Sequence, residues 1–176
     1  MINEIQRIES FEPIINKKSK ILILGTMPSV ISLEQKTYYA NKKNHFWDFM
    51  YRILLDNYPP YQPFDINTCK QERYNLLLSN SIAIWDIISS CIRVGSNDNK
   101  IKDEILNDVA TFISQWNLQL VICNGKEAFN YLRKSGQYKL INVPVVSLNS
   151  TSSLNSNNTF EILNEWMSCI KNQTSI

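Results

Sequence analysis

Glycine is scarce in this chain, with four among 176 residues. The first apolar run, Ile21 to Leu24, is followed by Gly25 but not by G-x-G-x-x-G, which disfavours a dinucleotide-binding turn of the Rossmann type. Histidine occurs once, at His45. The four cysteines, Cys69, Cys91, Cys123 and Cys169, are scattered with no close pair. Zinc and iron–sulfur sites usually show such a pair, so these read as reduced thiols and no metal or other cofactor is expected. Neither sign of charge dominates: 18 Lys and Arg face 16 Asp and Glu, for a net +2. That balance does not by itself announce a nucleic-acid binder, though local patches can still act. No apolar run reaches bilayer-spanning length. The start, MINEIQRIESFEP, lacks a basic stretch followed by an apolar one, so no signal peptide is read there and a cytoplasmic location is expected.

What is present suits a folded globule, at 44% hydrophobic and 19% charged residues. There is no repeat, low-complexity block or Pro/Gly-rich linker, so one domain over 1–176 is expected. The proline-rich stretch from Asp56 to Thr68 reads as a surface excursion within it. Four short runs rich in β-branched residues predict buried strands: Lys20–Leu24, Ile82–Trp85, Leu120–Cys123 and Val143–Leu148. Helical spacing predicts helices over His45–Leu55, Lys70–Leu78, Ile101–Trp116, Glu127–Lys134 and Phe160–Ile170. Strands alternating with helices imply an α/β fold, a three-layer α/β/α sandwich around a central four-stranded parallel sheet.

In such sheets ligands bind outside the carboxyl ends of the strands. The four exits are Gly25-Thr26-Met27-Pro28-Ser29, then Asp86 with Arg93 to Asp98, then Asn124-Gly125-Lys126, and last Asn149 to Asn155. All are polar, rich in Asn, Ser and Thr and poor in ionisable groups. They suit hydrogen bonding to a neutral ligand with a patterned edge, such as a nucleobase, better than a metal cage.

These residues carry a family resemblance. Gly25 to Ser29, Ser32-Leu33, and Tyr38-Tyr39-Ala40-Asn41-Lys42-Lys43-Asn44-His45-Phe46-Trp47 resemble the uracil-DNA glycosylase superfamily, in its hypoxanthine (deoxyinosine) branch, with mismatch-specific uracil glycosylases next. Ile82 to Asp86, the Arg93…Gly95-Ser96 turn, Asn124-Gly125-Lys126 and the last loop fall in the family's order. The two prolines common in that last loop are replaced here by Asn149 and Ser153, which leaves it less pre-organised. The cysteine-clustered iron–sulfur branches are excluded.

The resemblance implies a monofunctional hydrolase that flips a deaminated base out of DNA and cleaves its N-glycosidic bond, with hypoxanthine as first substrate and uracil as another. It implies damaged DNA, single- or double-stranded, as partner, and a monomer. Asn44 is the implied catalytic amide and Asn41 the runner-up; by spacing alone, Asn44 reads first as a cap of the helix beginning at His45. Gly25, Met27, Pro28, Ser29, Tyr39, Asp86 and Asn124 are the expected base-binding set, with Tyr39 as stacking platform or sheet cover. Lys42, Arg93, Ser96, Ser150, Thr151 and Ser152 are the expected DNA contacts, and Leu154 the expected minor-groove wedge or helix staple. The alternative from another class is a binding module that holds a nucleoside or single strand without turnover.

Overall fold

The computed structural model describes residues 7–55, 70–152 and 158–174. The predicted excursion from Asp56 to Thr68, together with Ser153, Leu154 and Asn155, lies outside them.

The main sheet contains β2 (Ile21–Gly25), β3 (Ile82–Asp86), β6 (Leu120–Asn124) and β7 (Val145–Leu148). Its strands are all parallel and run in the order β3-β2-β6-β7. These are the four expected runs, and both faces of the inner strands are buried, which is why they read as uninterrupted apolar stretches. Alternation assigns the faces. Ile21, Ile23, Ile82, Ile84, Leu120 and Ile122 meet α2 (Phe46–Leu54), α3 (Lys70–Ser79) and α6 (Thr159–Thr174). Leu22, Leu24, Ala83, Val121 and Cys123 meet α4 (Val109–Gln115) and α5 (Lys126–Lys134). The free edge of β3 is closed by a two-bond antiparallel bridge between Ile14 and Ile84.

Helix α2 forms because Phe46, Phe49, Met50 and Ile53 recur on one buried face. Trp47 is buried beside them and its indole Nε1–H donates to the Tyr38 carbonyl at 2.9 Å. On α6, Ile162, Trp166 and Ile170 carry the packing; Phe160, expected on that face, is 73% exposed.

Three elements differ from expectation. A second sheet, antiparallel in the order β1-β4-β5, joins β1 (Arg7–Glu9), β4 (Ile88–Ile92) and β5 (Lys102–Leu106). The helix expected over Ile101–Trp116 is therefore two elements. Ile101, Ile105 and Val109 have helical spacing, but Ile105 is exposed and β5 pairs with β4 through register shifts, with Asp103 at φ 48°. The Asp108 carboxylate then accepts the Thr111 N–H at 3.0 Å and starts α4 there. The third difference is α1 (Val30–Gln35), a short helix capped by Ser29, whose Oγ accepts the Ser32 N–H at 3.1 Å.

The chain leaves β2 for β3 on one side and later returns to β6 on the other. The crevice between the ends of β2 and β6 is thus the topological switch point, where ligands bind in such sheets.

Candidate active site

A cavity of about 150 Å³ lies at that switch point, lined by residues of all four strand exits and of the Tyr38–Asn44 segment. Of the expected base-binding residues, Gly25, Met27, Pro28, Ser29, Tyr39, Asp86 and Asn124 all line it, as do Asn41, Asn44, Ser96, Ser150 and Ser152. Ser32, from the resembled block, and Asp98, from the second strand exit, also line it, although neither is in the expected base- or DNA-binding set.

Gly25 is required by close approach. A Cβ there would stand 2.3 Å from Asp86 Oδ1 and 3.0 Å from the Tyr39 hydroxyl. Bare backbone at the end of β2 lets a carboxyl and a phenol converge on the cavity floor. Asp86 ends β3 in register with Gly25 and is 3% exposed. Its Oδ2 accepts the Ser10 hydroxyl at 2.8 Å. Burial pushes its carboxyl up to about 7, against the partly offsetting Ser10 bond, so both protonation states are populated near neutrality.

Tyr39 takes a left-handed backbone conformation at φ 53°, uncommon outside glycine. The turn is held on both sides: the Tyr38 N–H donates to the Tyr74 hydroxyl and the Ala40 N–H to Ser32 Oγ, each at 3.1 Å. The Tyr39 ring stacks on Phe46 at 3.8 Å and 17°. Its hydroxyl is buried and has no hydrogen-bond partner among the described residues. Desolvation, followed by the Asp86 charge, holds that phenol above its ordinary range, so it stays a donor. Tyr38 also lines the cavity but is mainly core, its hydroxyl donating to the Phe11 and Glu12 carbonyls.

The amide wall faces this floor. Asn41 bends the chain: its Oδ1 accepts the Lys43 N–H at 3.0 Å and its carbonyl accepts the Asn44 N–H at 2.8 Å. Asn44 Oδ1 then accepts two protons, from the Phe46 N–H and the Thr151 hydroxyl, each at 2.9 Å. The backbone donor fixes which end of the amide is oxygen, so the NH₂ end is the group left for a ligand. The helix starts at Phe46 with His45 as its cap, so Asn44 stands one residue before the cap, still accepting the first helical N–H, and it lines the cavity as well. His45 makes no side-chain cap bond and stacks on Phe49.

Two expected DNA contacts are corrected. The Arg93 side chain is fully buried, with Nη1 donating to Asp98 Oδ1 at 3.0 Å and Nη2 to the Pro28 carbonyl. It ties the β4–β5 connection to the first-strand exit and cannot reach a phosphate. Thr151 is 1% exposed, and its N–H, carbonyl and hydroxyl all bond within the protein. Neither side chain is on the surface where a backbone phosphate would lie. Ser96 Oγ accepts the Val30 N–H at 2.9 Å, and Ser150 Oγ accepts the Ser152 N–H at 3.2 Å, so both hydroxyls shape loops at the cavity rim. Lys42 and Lys43 are exposed beside the mouth. Cys91, Cys123 and Cys169 are free thiols.

The chain that builds this site is similar to known proteins. The profile of the Uracil DNA glycosylase superfamily matches residues 12–168. The chain is 34% identical over 134 residues to a protein of Methanosarcina barkeri named hypoxanthine DNA glycosylase, covering 76% of each. It is 30% identical over 122 residues to a protein of the same name from Methanosarcina acetivorans, covering 69% of this chain and 73% of that one. The solution NMR structure of a Methanosarcina acetivorans protein described as a candidate uracil DNA glycosylase superposes with a TM-score of 0.76 at 27% identity, over 95% of this chain and 98% of that one. The chain belongs to the uracil DNA glycosylase superfamily.

Proposed function

We propose that this chain excises hypoxanthine from DNA, taking uracil as a second base. It is a DNA glycosylase, a hydrolase of N-glycosyl bonds, as its family membership and relatives named hypoxanthine DNA glycosylase support. The observation that carries the reading is the cavity at the switch point, where Asn44, Asp86 and Tyr39 converge over a bare Gly25.

The target nucleotide has to leave the stack for this cavity. Water oxygen then bonds to C1′ as the C1′–N bond breaks. The bond's electron pair leaves with the base, which is protonated, and an abasic deoxyribose remains. Catalysis consists largely in stabilising negative charge on the departing base and positive charge on the sugar. With its carbonyl committed to Phe46 and Thr151, Asn44 offers NH₂ donors, suited to the base oxygen or ring nitrogen where charge builds. Its role is thus anion stabilisation rather than holding water by its carbonyl. The Tyr39 hydroxyl, which meets no partner at full hydrogen-bond geometry among the described residues although the Asn124 amide is near it, is a second donor, and Asp86 is the acceptor for a ring N–H. Hypoxanthine and uracil each present a carbonyl beside an N–H, which fits that pair. Met27 contributes shape only. Lys42, exposed at the mouth, attracts the phosphate backbone. The protein works as a monomer.

The test is a panel of oligonucleotides carrying inosine, uracil or xanthine, incubated with the protein and then cleaved with alkali at abasic sites. Cleavage should be fastest for inosine. Folded protein that binds these strands and yields no abasic product from any of them would make the chain a binding module instead.

A further inference from the structure

The reassignment of Thr151 opens a question the proposed reaction leaves unanswered: what aims Asn44. The Asn44 side chain could rotate about two bonds on the cavity rim, yet two neighbours fix it. The Phe46 N–H and the Thr151 hydroxyl both donate to Oδ1 at 2.9 Å. Thr151 is itself held by Asn124, whose Oδ1 accepts the Thr151 N–H and whose Nδ2 donates to Thr151 Oγ1, both at 3.0 Å. The Thr151 carbonyl accepts the His45 N–H at 2.9 Å. Asn124 is a strand residue at the end of β6, 8% exposed, and its rotamer is thereby referenced to the main sheet. The hydrogens run one way along this chain, from Asn124 NH₂ to the Thr151 oxygen, and from the Thr151 hydroxyl to the Asn44 carbonyl. Because Asn124 supplies a proton to Oγ1, the hydroxyl turns its own proton outward to Asn44, and Asn44 must present its NH₂ to the cavity.

We propose that Thr151 is a positioning residue whose hydroxyl, oriented by Asn124, sets the direction of the Asn44 amide across a separation of 107 residues. The proposal rests on the reading of Asn44 as the group that meets the departing base. Thr151 touches no substrate. A hydroxyl is needed because the residue must accept from one amide and donate to another, which neither valine nor alanine can do. Serine can.

The experiment uses the full chain and a duplex carrying deoxyinosine, with Thr151→Val, Thr151→Ser and Asn44→Ala measured beside the parent protein. Thr151→Val keeps the shape and both backbone bonds and removes only the hydroxyl. Its single-turnover excision rate is expected to fall about 10- to 100-fold, the scale set by small misplacements of a catalytic group. Its affinity for a duplex carrying a stable abasic analogue should not change, and Thr151→Ser should recover most of the rate. Nitrogen-edited NMR gives a readout independent of turnover: the chemical shifts and through-space contacts of the Asn44 NH₂ protons should match in the parent and in Thr151→Ser and change in Thr151→Val. A Thr151→Val protein that excises at the parent rate, or an equal loss of rate in Thr151→Ser, overturns the proposal. Should Thr151→Val fail to fold, the Asn44 NH₂ protons of the parent decide, since through-space contacts that fit several side-chain orientations, rather than one, mean that no neighbour aims the amide. A parent protein that releases no base defeats the glycosylase reading instead, and the NMR signals then judge the relay alone. Full activity in Asn44→Ala removes the reading on which the relay rests.

Discussion

The two sides of the cavity are built on opposite terms. On the amide wall, Asn44 Oδ1, Thr151 and the Asn124 carbonyl oxygen all have partners at 2.9–3.0 Å. On the floor, the Tyr39 hydroxyl is buried without a hydrogen-bond partner among the described residues, and Asp86 carries a carboxyl raised by burial. A satisfied network holds a geometry; an unsatisfied buried group costs stability until something arrives to bond it. The wall stores direction and the floor stores an unmet demand, which is the division expected of a site that must aim one group and receive a ligand with others.

The largest expected effect breaks the wall. Asn44→Ala should lower base release about 10²–10³-fold, the typical cost of one donor to developing negative charge. It should also cost about 1 kcal/mol of stability, measured by urea unfolding, because the Phe46 N–H loses its acceptor. Breaking the floor has an opposite sign in stability. The Asp86 carboxyl is raised above its unfolded value of 3.8 to about 7, so the folded state holds a proton that the unfolded state has lost between those values. Its contribution is complete below pH 3.8 and is lost as pH rises through about 7, on the order of 4 kcal/mol across the window. Asp86→Asn should flatten that part of the stability profile and raise the unfolding midpoint at pH 8, while base release falls. A midpoint that drops at pH 8 would mean that the charged carboxylate is not penalised there.

Gly25→Ala sharpens the comparison by pushing on both floor groups at once. A Cβ 2.3 Å from Asp86 Oδ1 displaces the carboxyl, with an expected cost of about 1–3 kcal/mol and loss of most activity. Tyr39→Phe removes the orphan hydroxyl but keeps the stack on Phe46, so stability should hold or rise by about 1 kcal/mol as affinity for free hypoxanthine, followed by calorimetry, falls. The smallest effect is expected at the mouth, where Lys42→Ala should weaken DNA binding alike for all sequences and reduce the salt slope by about one unit at most.

The main sheet was legible because its inner strands are buried on both faces and cannot be anything but apolar. The small sheet was not. Its strands are three to five residues long, and the Ile101, Ile105, Val109 spacing imitates a helix until Asp108 interrupts it with a cap. Helix α1 was hidden because Pro28-Ser29 reads as a turn, and a six-residue helix adds little periodicity to contradict that. The cavity residues were legible where a strand exit places them by topology. Their bonding was not: Arg93 and Thr151 look like surface donors in sequence, and only tertiary contacts with Pro28, Asp98, Asn44 and Asn124 show them to be internal. One helpful signal was present in the distribution of polarity, since small polar residues cluster at each strand exit, but polarity does not say which partner each one finds.

The central claim is that the base edge is received between the Asn44 amide and the Tyr39–Asp86 floor. The most direct measurement is NMR of the full protein bound to a duplex carrying a 2′-fluorinated deoxyinosine, which resists hydrolysis. The account predicts that the Asn44 NH₂ signals and the Tyr39 and Gly25 amides shift together, with contacts from the purine ring to the Tyr39 side chain. Unmoved Asn44 and Tyr39 signals in a tight complex, with the shifts confined to a distant surface such as the groove lined by Asn16, Lys17, Lys18 and Asn75, would contradict it.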